Sequence, residues 1–151
     1  MRTSASDYVI MCIGNPDGGD DAIGPYIAER LDDTAKRTVL NCGTVPENYT
    51  SIVKRLHPKQ LIIIDAAEMG LSPGEIRIVP KDKIGVMHIS THGIPLSVLI
   101  SYLESSVPQI TFIAIQPHYM DGGLSVPVQQ SGDKLITLLT QWKIDQIKQL
   151  E

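Results

Sequence analysis

Cysteine is scarce in this chain: Cys12 and Cys42 are its only two, and they lack the CxxC spacing of a redox or zinc pair. Both fall in strand-like runs, which predicts buried, reduced thiols rather than a disulfide, and hence a reducing compartment. Long apolar runs are missing too; none approaches the roughly 20 residues that a membrane span requires. The start Met1-Arg2-Thr3-Ser4 lacks the apolar stretch of a secretory signal. The expectation is a cytoplasmic protein with no membrane partner. Basic residues number 13, are scattered, and are outweighed to a formal net charge of -4, so no electrostatic footprint for a nucleic-acid partner exists. Three catalytic or binding signatures are also absent: GxGxxG, GxxxxGK[ST] and HExxH, which argues against dinucleotide and P-loop nucleotide sites and a helical zinc-peptidase motif. The string Gly70-Leu71-Ser72-Pro73-Gly74 matches GxSxG, but it reads as a turn leading into an edge strand and not as the strand-to-helix elbow that a serine nucleophile needs.

The length of 151 residues with 42% hydrophobic content fits one domain over 1–151 with a real core and no room for a second. Short apolar runs alternate with helical patterns, as in βαβ units. Residues 8–13 are almost uniformly apolar, as a strand buried on both faces should be, and Gly14-Asn15-Pro16 ends them. Ile23, Ile27, Ala28 and Leu31 follow helical spacing over 22–31, with Asp20 or Asp21 placed as N-cap. Residues 38–42 read as a second strand, followed by a helix through Tyr49, Ile52, Val53 and Leu56 that stops at Pro58. Residues 61–64 form a third strand ending in Asp65. The alternating segment 75–79 reads as an edge strand reached by a hairpin-like return. Pro95 suits a first helical turn, with Leu96, Leu99, Ile100 and Leu103 on one face. Residues 110–115 make another strand, and Leu135, Leu138, Leu139 and Trp142 mark a terminal helix. The fold class is α/β: a three-layer α/β/α sandwich around a mostly parallel mixed sheet of about five strands.

Chemistry-bearing residues cluster where strands leave the sheet, which is where α/β proteins build their sites. Gly14-Asn15 runs to Asp20-Asp21, Asp65 closes an apolar run, and His92 lies in Ser90-Thr91-His92-Gly93. Two carboxylates and an imidazole suit a divalent transition metal. The glycine-rich loop 14–19 could suggest a phosphate cradle, but Asp17, Asp20 and Asp21 would repel the anion; a tight turn with an N-cap aspartate is the plainer alternative. A carboxylate beside a core costs free energy unless paired, capped or metal-bound, so Asp65 either caps the next loop or binds metal. Glu68 could add a carboxylate, although a solvated side chain suits its loop position better. His88 and His92 are four residues apart, but Gly93 and Pro95 argue against a helix carrying both as a zinc pair. His92 alone reads as a ligand, a proton carrier, or a hydrogen-bonded surface or core residue. His57 and His118 read as loop residues.

Three blocks together carry a resemblance that covers nearly the whole chain: Gly14-Asn15 through Asp20-Asp21-Ala22-Ile23-Gly24-Pro25, then Leu61-Ile62-Ile63-Ile64-Asp65-Ala66, then Thr91-His92-Gly93-Ile94-Pro95-Leu96. The sequence resembles the nickel-iron hydrogenase maturation proteases. The stretch Asp65-Ala66-Ala67-Glu68-Met69-Gly70-Leu71-Ser72-Pro73-Gly74-Glu75-Ile76-Arg77 is especially similar to the subgroup that serves formate-hydrogenlyase-type hydrogenases and its archaeal relatives. The resemblance implies an endopeptidase that removes a C-terminal extension from the hydrogenase large-subunit precursor once nickel is inserted. It places the metal-contacting and catalytic positions on Asp21, Asp65 and His92, and leaves Asp20 as a helix cap. Pro16-Asp17-Gly18-Gly19 departs from the larger apolar residues common in relatives, which puts loop contacts to the substrate in question.

Such a ligand set leaves open positions on a divalent ion, so it could grip nickel still held by substrate thiolates; the nickel is supplied by the substrate, and no organic cofactor is expected. Cleavage would then be conditional on nickel, a specificity that depends on a missing partner. Either the ion or a carboxylate would activate water. A non-cleaving metal-delivery or metal-sensing module that binds the precursor is the alternative, and a general metallopeptidase is a third reading that the missing HExxH helix disfavours.

Overall fold

A computed structural model describes residues 7–85, 87 and 93–151. Five strands, β1 (Tyr8–Ile13), β2 (Arg37–Gly43), β3 (Gln60–Ala66), β4 (Ile76–Val79) and β5 (Gln109–Ile115), form one sheet in the order β2-β1-β3-β5-β4. The first three and β5 run parallel, and β4 lies antiparallel at the edge. Five helices accompany them: α1 (Ile23–Arg30), α2 (Thr50–Leu56), the single turn α3 (Lys81–Ile84), α4 (Leu96–Leu103) and α5 (Val126–Thr140).

Alternation along the buried strands explains the layering, because successive side chains point to opposite faces. Val9, Met11 and Ile13 of β1 and Leu61 and Ile63 of β3 pack with Val53 of α2, Ile84 of α3, and Leu96, Leu99 and Leu103 of α4. Ile10, Cys12, Ile62 and Ile64 pack on the other face with Ile23 and Ile27 of α1 and Val128, Leu135 and Leu139 of α5. The expected three-layer sandwich is therefore the one observed. Cys12 and Cys42 are free and buried; burial pushes both thiols up, Cys42 to about 12, so neither supplies a thiolate nucleophile at neutral pH.

The structure differs from the sequence-based expectations at four places. The edge strand β4 is antiparallel as a hairpin would make it, yet it pairs with β5 and not with its predecessor β3. Its outer edge is covered by the chain end, where Ile78 N–H donates to the Lys148 carbonyl and Leu150 N–H to that of Ile78. A covered edge removes a template for aggregation. The terminal helix begins at Val126 and stops at Thr140; Trp142 lies beyond it at φ 54° and stacks on Tyr8, ring centroids 3.9 Å apart. Pro95 is the N-cap of α4, one position before its first turn. The N-cap of α1 is Ala22, with no side-chain cap, because a one-turn 3₁₀ helix (Gly19–Ala22) carries Asp20 and Asp21 ahead of it. Among the described residues no helix is long and apolar enough to cross a membrane.

Candidate active site

The strand order reverses direction between β1 and β3: from β1 the chain goes to β2 on one side, then returns to β3 on the other. Loops leaving the carboxyl ends of such a pair diverge and open a crevice. Asp21 follows β1 and Asp65 is the penultimate residue of β3, so both stand at that point.

Backbone packing fixes Asp21. Gly14, at φ 154°, passes so near the next turn that a β-carbon on it would lie 1.9 Å from the Asp21 carbonyl oxygen. Gly24 brings the start of α1 equally close, since its β-carbon would meet the Ile13 carbonyl at 2.1 Å. Only glycine permits these approaches. Asp21 is 3% exposed, and its Oδ2 accepts the Asn15 N–H at 3.0 Å.

Asp65 is completely buried. By alternation it shares the face of Leu61 and Ile63. Its Oδ1 accepts the N–H of Ala66 at 2.8 Å, while Oδ2 is buried with no hydrogen-bond partner among the described residues. The capping reading thus accounts for one oxygen and leaves the other unexplained. Burial first, and then the charge of Asp21, hold this carboxyl well above the usual carboxylate range against the opposing Ala66 N–H. Carboxylate oxygens are hard donors of the kind that divalent cations take, and Asp65 Oδ2 is the oxygen here that has no hydrogen-bond donor among the described residues. Among the described residues no three His, Cys, Asp or Glu side chains converge on one point. His92, the expected imidazole, and His88 lie outside the described residues.

Asp20 is no helix cap for α1. Its carboxylate accepts the N–H groups of His118 at 2.7 Å, Tyr119 at 3.3 Å and Ser125 at 2.7 Å, and the Ser125 hydroxyl at 2.8 Å. It ties the 3₁₀ turn to the loop after β5 and to Ser125, the N-cap residue of α5. His118 itself is an exposed loop residue, as expected, stacked on Tyr119. His57 ends α2 in the left-handed region at φ 47°.

Gln116 went unrecognised in the sequence, although it ends the apolar run of β5 as Asp65 ends that of β3. Its Oε1 accepts the N–H groups of Met69 at 2.7 Å and Leu71 at 3.3 Å, and its Nε2 donates to Glu68 Oε2 at 2.8 Å and to the Pro117 carbonyl at 3.2 Å. Gln116 therefore shapes the loop that leaves Asp65. Glu68 is exposed but not merely solvated: the Gly70 N–H and then Gln116 lower its carboxyl. Glu47 was also missed, because the loop after β2 offers no periodic signal. It occupies a one-turn 3₁₀ helix (Pro46–Tyr49), and its Oε1 is buried without a hydrogen-bond partner.

A family model described as hydrogenase maturation protease matches residues 22–142, which include Asp65 and His92 and begin just after Asp21. The Hydrogenase 3 maturation protease of Escherichia coli (strain K12) is 39% identical over 125 residues, spanning 81% of this chain and 79% of that one. A putative hydrogenase maturation protease of Methanocaldococcus jannaschii is 37% identical over 145 residues, 88% of this chain and 86% of its own. The crystal structure of a Hydrogenase 3 maturation protease superposes with a TM-score of 0.89 at 33% identity, covering 99% of each chain. The chain belongs to the hydrogenase maturation protease family.

Proposed function

We propose that this protein is an endopeptidase that removes the C-terminal extension of a nickel-iron hydrogenase large-subunit precursor after nickel insertion, and that it recognises the nickel held by that substrate. Family membership supports a hydrolase acting in hydrogenase maturation. The observation that carries the nickel-dependent part is the buried, unpartnered Oδ2 of Asp65 beside the charge of Asp21 at the crevice. A buried carboxylate oxygen left without a donor among the described residues is a position that the substrate's ion can complete.

In this reading Asp21 and Asp65 grip the substrate's nickel, and His92 joins them through its place in the Thr91-His92-Gly93 block. The ion is cargo of the precursor, and no organic cofactor takes part. Anchoring the ion fixes the peptide that follows it, converting an encounter into a positioned reaction. Hydrolysis then adds the oxygen of water to the scissile carbonyl carbon, breaks the C–N bond and delivers a proton to the leaving nitrogen, giving a new carboxylate and a free amine. A precursor without nickel has nothing for the two carboxylates to hold. The partner is thus a protein, and neither nucleic acid nor membrane is required.

The test is to incubate the protein with the large-subunit precursor of its own source, with and without nickel loaded, and follow the precursor's intact mass. Loss of a C-terminal peptide only from the loaded form is expected. Binding without a mass change would instead favour a non-cleaving metal-delivery module.

A further inference from the structure

Two buried carboxylate oxygens stand out among the described residues because nothing in the fold uses them: Asp65 Oδ2, which the nickel reading employs, and Glu47 Oε1, which it does not. We propose that Glu47 is a specificity-determining residue of the cleavage reaction, its buried Oε1 accepting a hydrogen bond from an N–H donor of the precursor peptide. The proposal rests on the endopeptidase reading above.

Position is the first argument. Glu47 follows β2, whose end runs beside that of β1; Ile13 pairs with Gly43, and Gly14 N–H donates to the Gly43 carbonyl at 2.8 Å. Gly14 in turn touches the Asp21 backbone, so the turn bearing Glu47 opens from the same carboxyl edge of the sheet as the aspartates. The Glu47 side chain reaches to the segment before α4, where a β-carbon built on Gly93 would lie 3.1 Å from Oε2.

The second argument is that Glu47 performs none of the ordinary structural tasks of a half-buried glutamate. It joins no ion pair among the described residues. The N–H of Val45, the N-cap of its turn, already donates to the Cys42 carbonyl at 3.1 Å, so Glu47 closes no capping box with it. Its backbone is used, since the carbonyl accepts the Thr50 hydroxyl at 3.1 Å, but Oε1 of its carboxylate has no hydrogen-bond partner among the described residues. Nor does it converge with two other metal-ligating groups among the described residues, which separates its role from that of Asp21 and Asp65. Leaving a buried acceptor unpaired is unfavourable in the free protein, and a carboxylate can be satisfied only by a donor or a cation. A peptide drawn into the crevice carries such donors as backbone amides and cationic side chains.

The experiment compares wild type, Glu47→Gln and Glu47→Met on the nickel-loaded precursor, measuring kcat, KM and precursor affinity, with thermal unfolding of each free protein. Glu47→Met should raise KM and weaken affinity about tenfold or more, with kcat within about twofold. Its Tm should equal or exceed that of wild type, because the variant removes an unsatisfied buried oxygen. A merely structural glutamate would lower Tm instead. Retention of low KM by Glu47→Gln identifies a backbone amide as the donor; a loss equal to that of Glu47→Met, with wild-type KM rising steeply with salt, identifies a cationic side chain. Wild-type KM and affinity in Glu47→Met would overturn the proposal, as would a lowered Tm with kcat and KM disturbed together. Should wild type bind the precursor without cutting it, the endopeptidase reading fails while the affinity comparison still decides the Glu47 contact. Absence of both cutting and binding overturns both.

Discussion

Asp20 and Asp65 are both completely buried aspartates at the carboxyl edge of the sheet, and they are opposites in every other respect. Asp20 accepts three backbone N–H groups and one hydroxyl, so its negative charge is matched by donors from two other segments. Asp65 accepts one N–H, faces the like charge of Asp21, and keeps an oxygen with no partner among the described residues. Burial of a carboxylate is thus a poor sign of function taken alone. The informative quantity is the unused hydrogen-bonding capacity, because a fold can satisfy a carboxylate fully, as it does at Asp20, when nothing else requires it.

The comparison breaks most sharply at activity. Asp65→Asn should lose processing of the nickel-loaded precursor by about 10³-fold or more, consistent with the several kcal/mol that an anchoring ion supplies. Its Tm should equal or exceed that of wild type, since a buried charge beside Asp21 is removed. Intact-mass kinetics and calorimetry on one preparation check both; normal processing by the variant would sink the metal-anchor model. Asp20→Ala should do the reverse. It strands four donors, of which the two on Ser125 are buried, at a cost of about 3 kcal/mol. For a chain of this size that lowers Tm by roughly 6–12 °C, measurable by calorimetry.

Much of this pair was legible in the sequence, and the part that was not has a physical cause. Asp65 could be singled out because a charge ending an apolar run is locally anomalous. The strands of the buried sheet could be read for the same reason, their apolar runs being continuous and bounded by glycine and proline. Asp20 and Asp21, adjacent in the chain, could not be told apart by local pattern; only the family resemblance separated them, and the helix-cap role it left to Asp20 is not the one observed. Their difference is made by residues 118–125, about a hundred positions away, and by the 3₁₀ turn that directs one side chain to that loop. Gln116 carried the same local signal as Asp65, a polar residue closing β5, but its uncharged amide did not register as anomalous. Partner choice for β4 escaped as well, since an alternating pattern fixes which face of a strand is buried but not which neighbour it pairs with.

Gln116 offers a milder version of the Asp20 experiment on the Asp65 side. Gln116→Ala leaves the Met69 and Leu71 N–H groups without their acceptor and loosens the loop that leaves β3. A loss of about 1.5 kcal/mol is expected, or roughly 3–6 °C in Tm. Amide exchange should quicken at residues 69 and 71 and stay unchanged in β1, which distinguishes release of this loop from general destabilisation.

The gentlest probe is pH. Because Asp65 holds its proton more tightly in the folded chain than in the unfolded one, a window opens between the ordinary carboxylate value, about 4, and its own raised value. Within it the native state keeps a proton that the unfolded state has released, so this residue makes stability fall as pH rises and contributes no further slope above the window. A single proton limits the slope to about 1.4 kcal/mol per pH unit. The measurement is a denaturant midpoint series across the window on wild type and Asp65→Asn, taking the difference so that all other titrations cancel. The variant should gain on wild type as pH rises. A constant difference would mean that Asp65 titrates alike in both states, and that the donors it lacks among the described residues are supplied by the rest of the chain and not reserved for the substrate's ion.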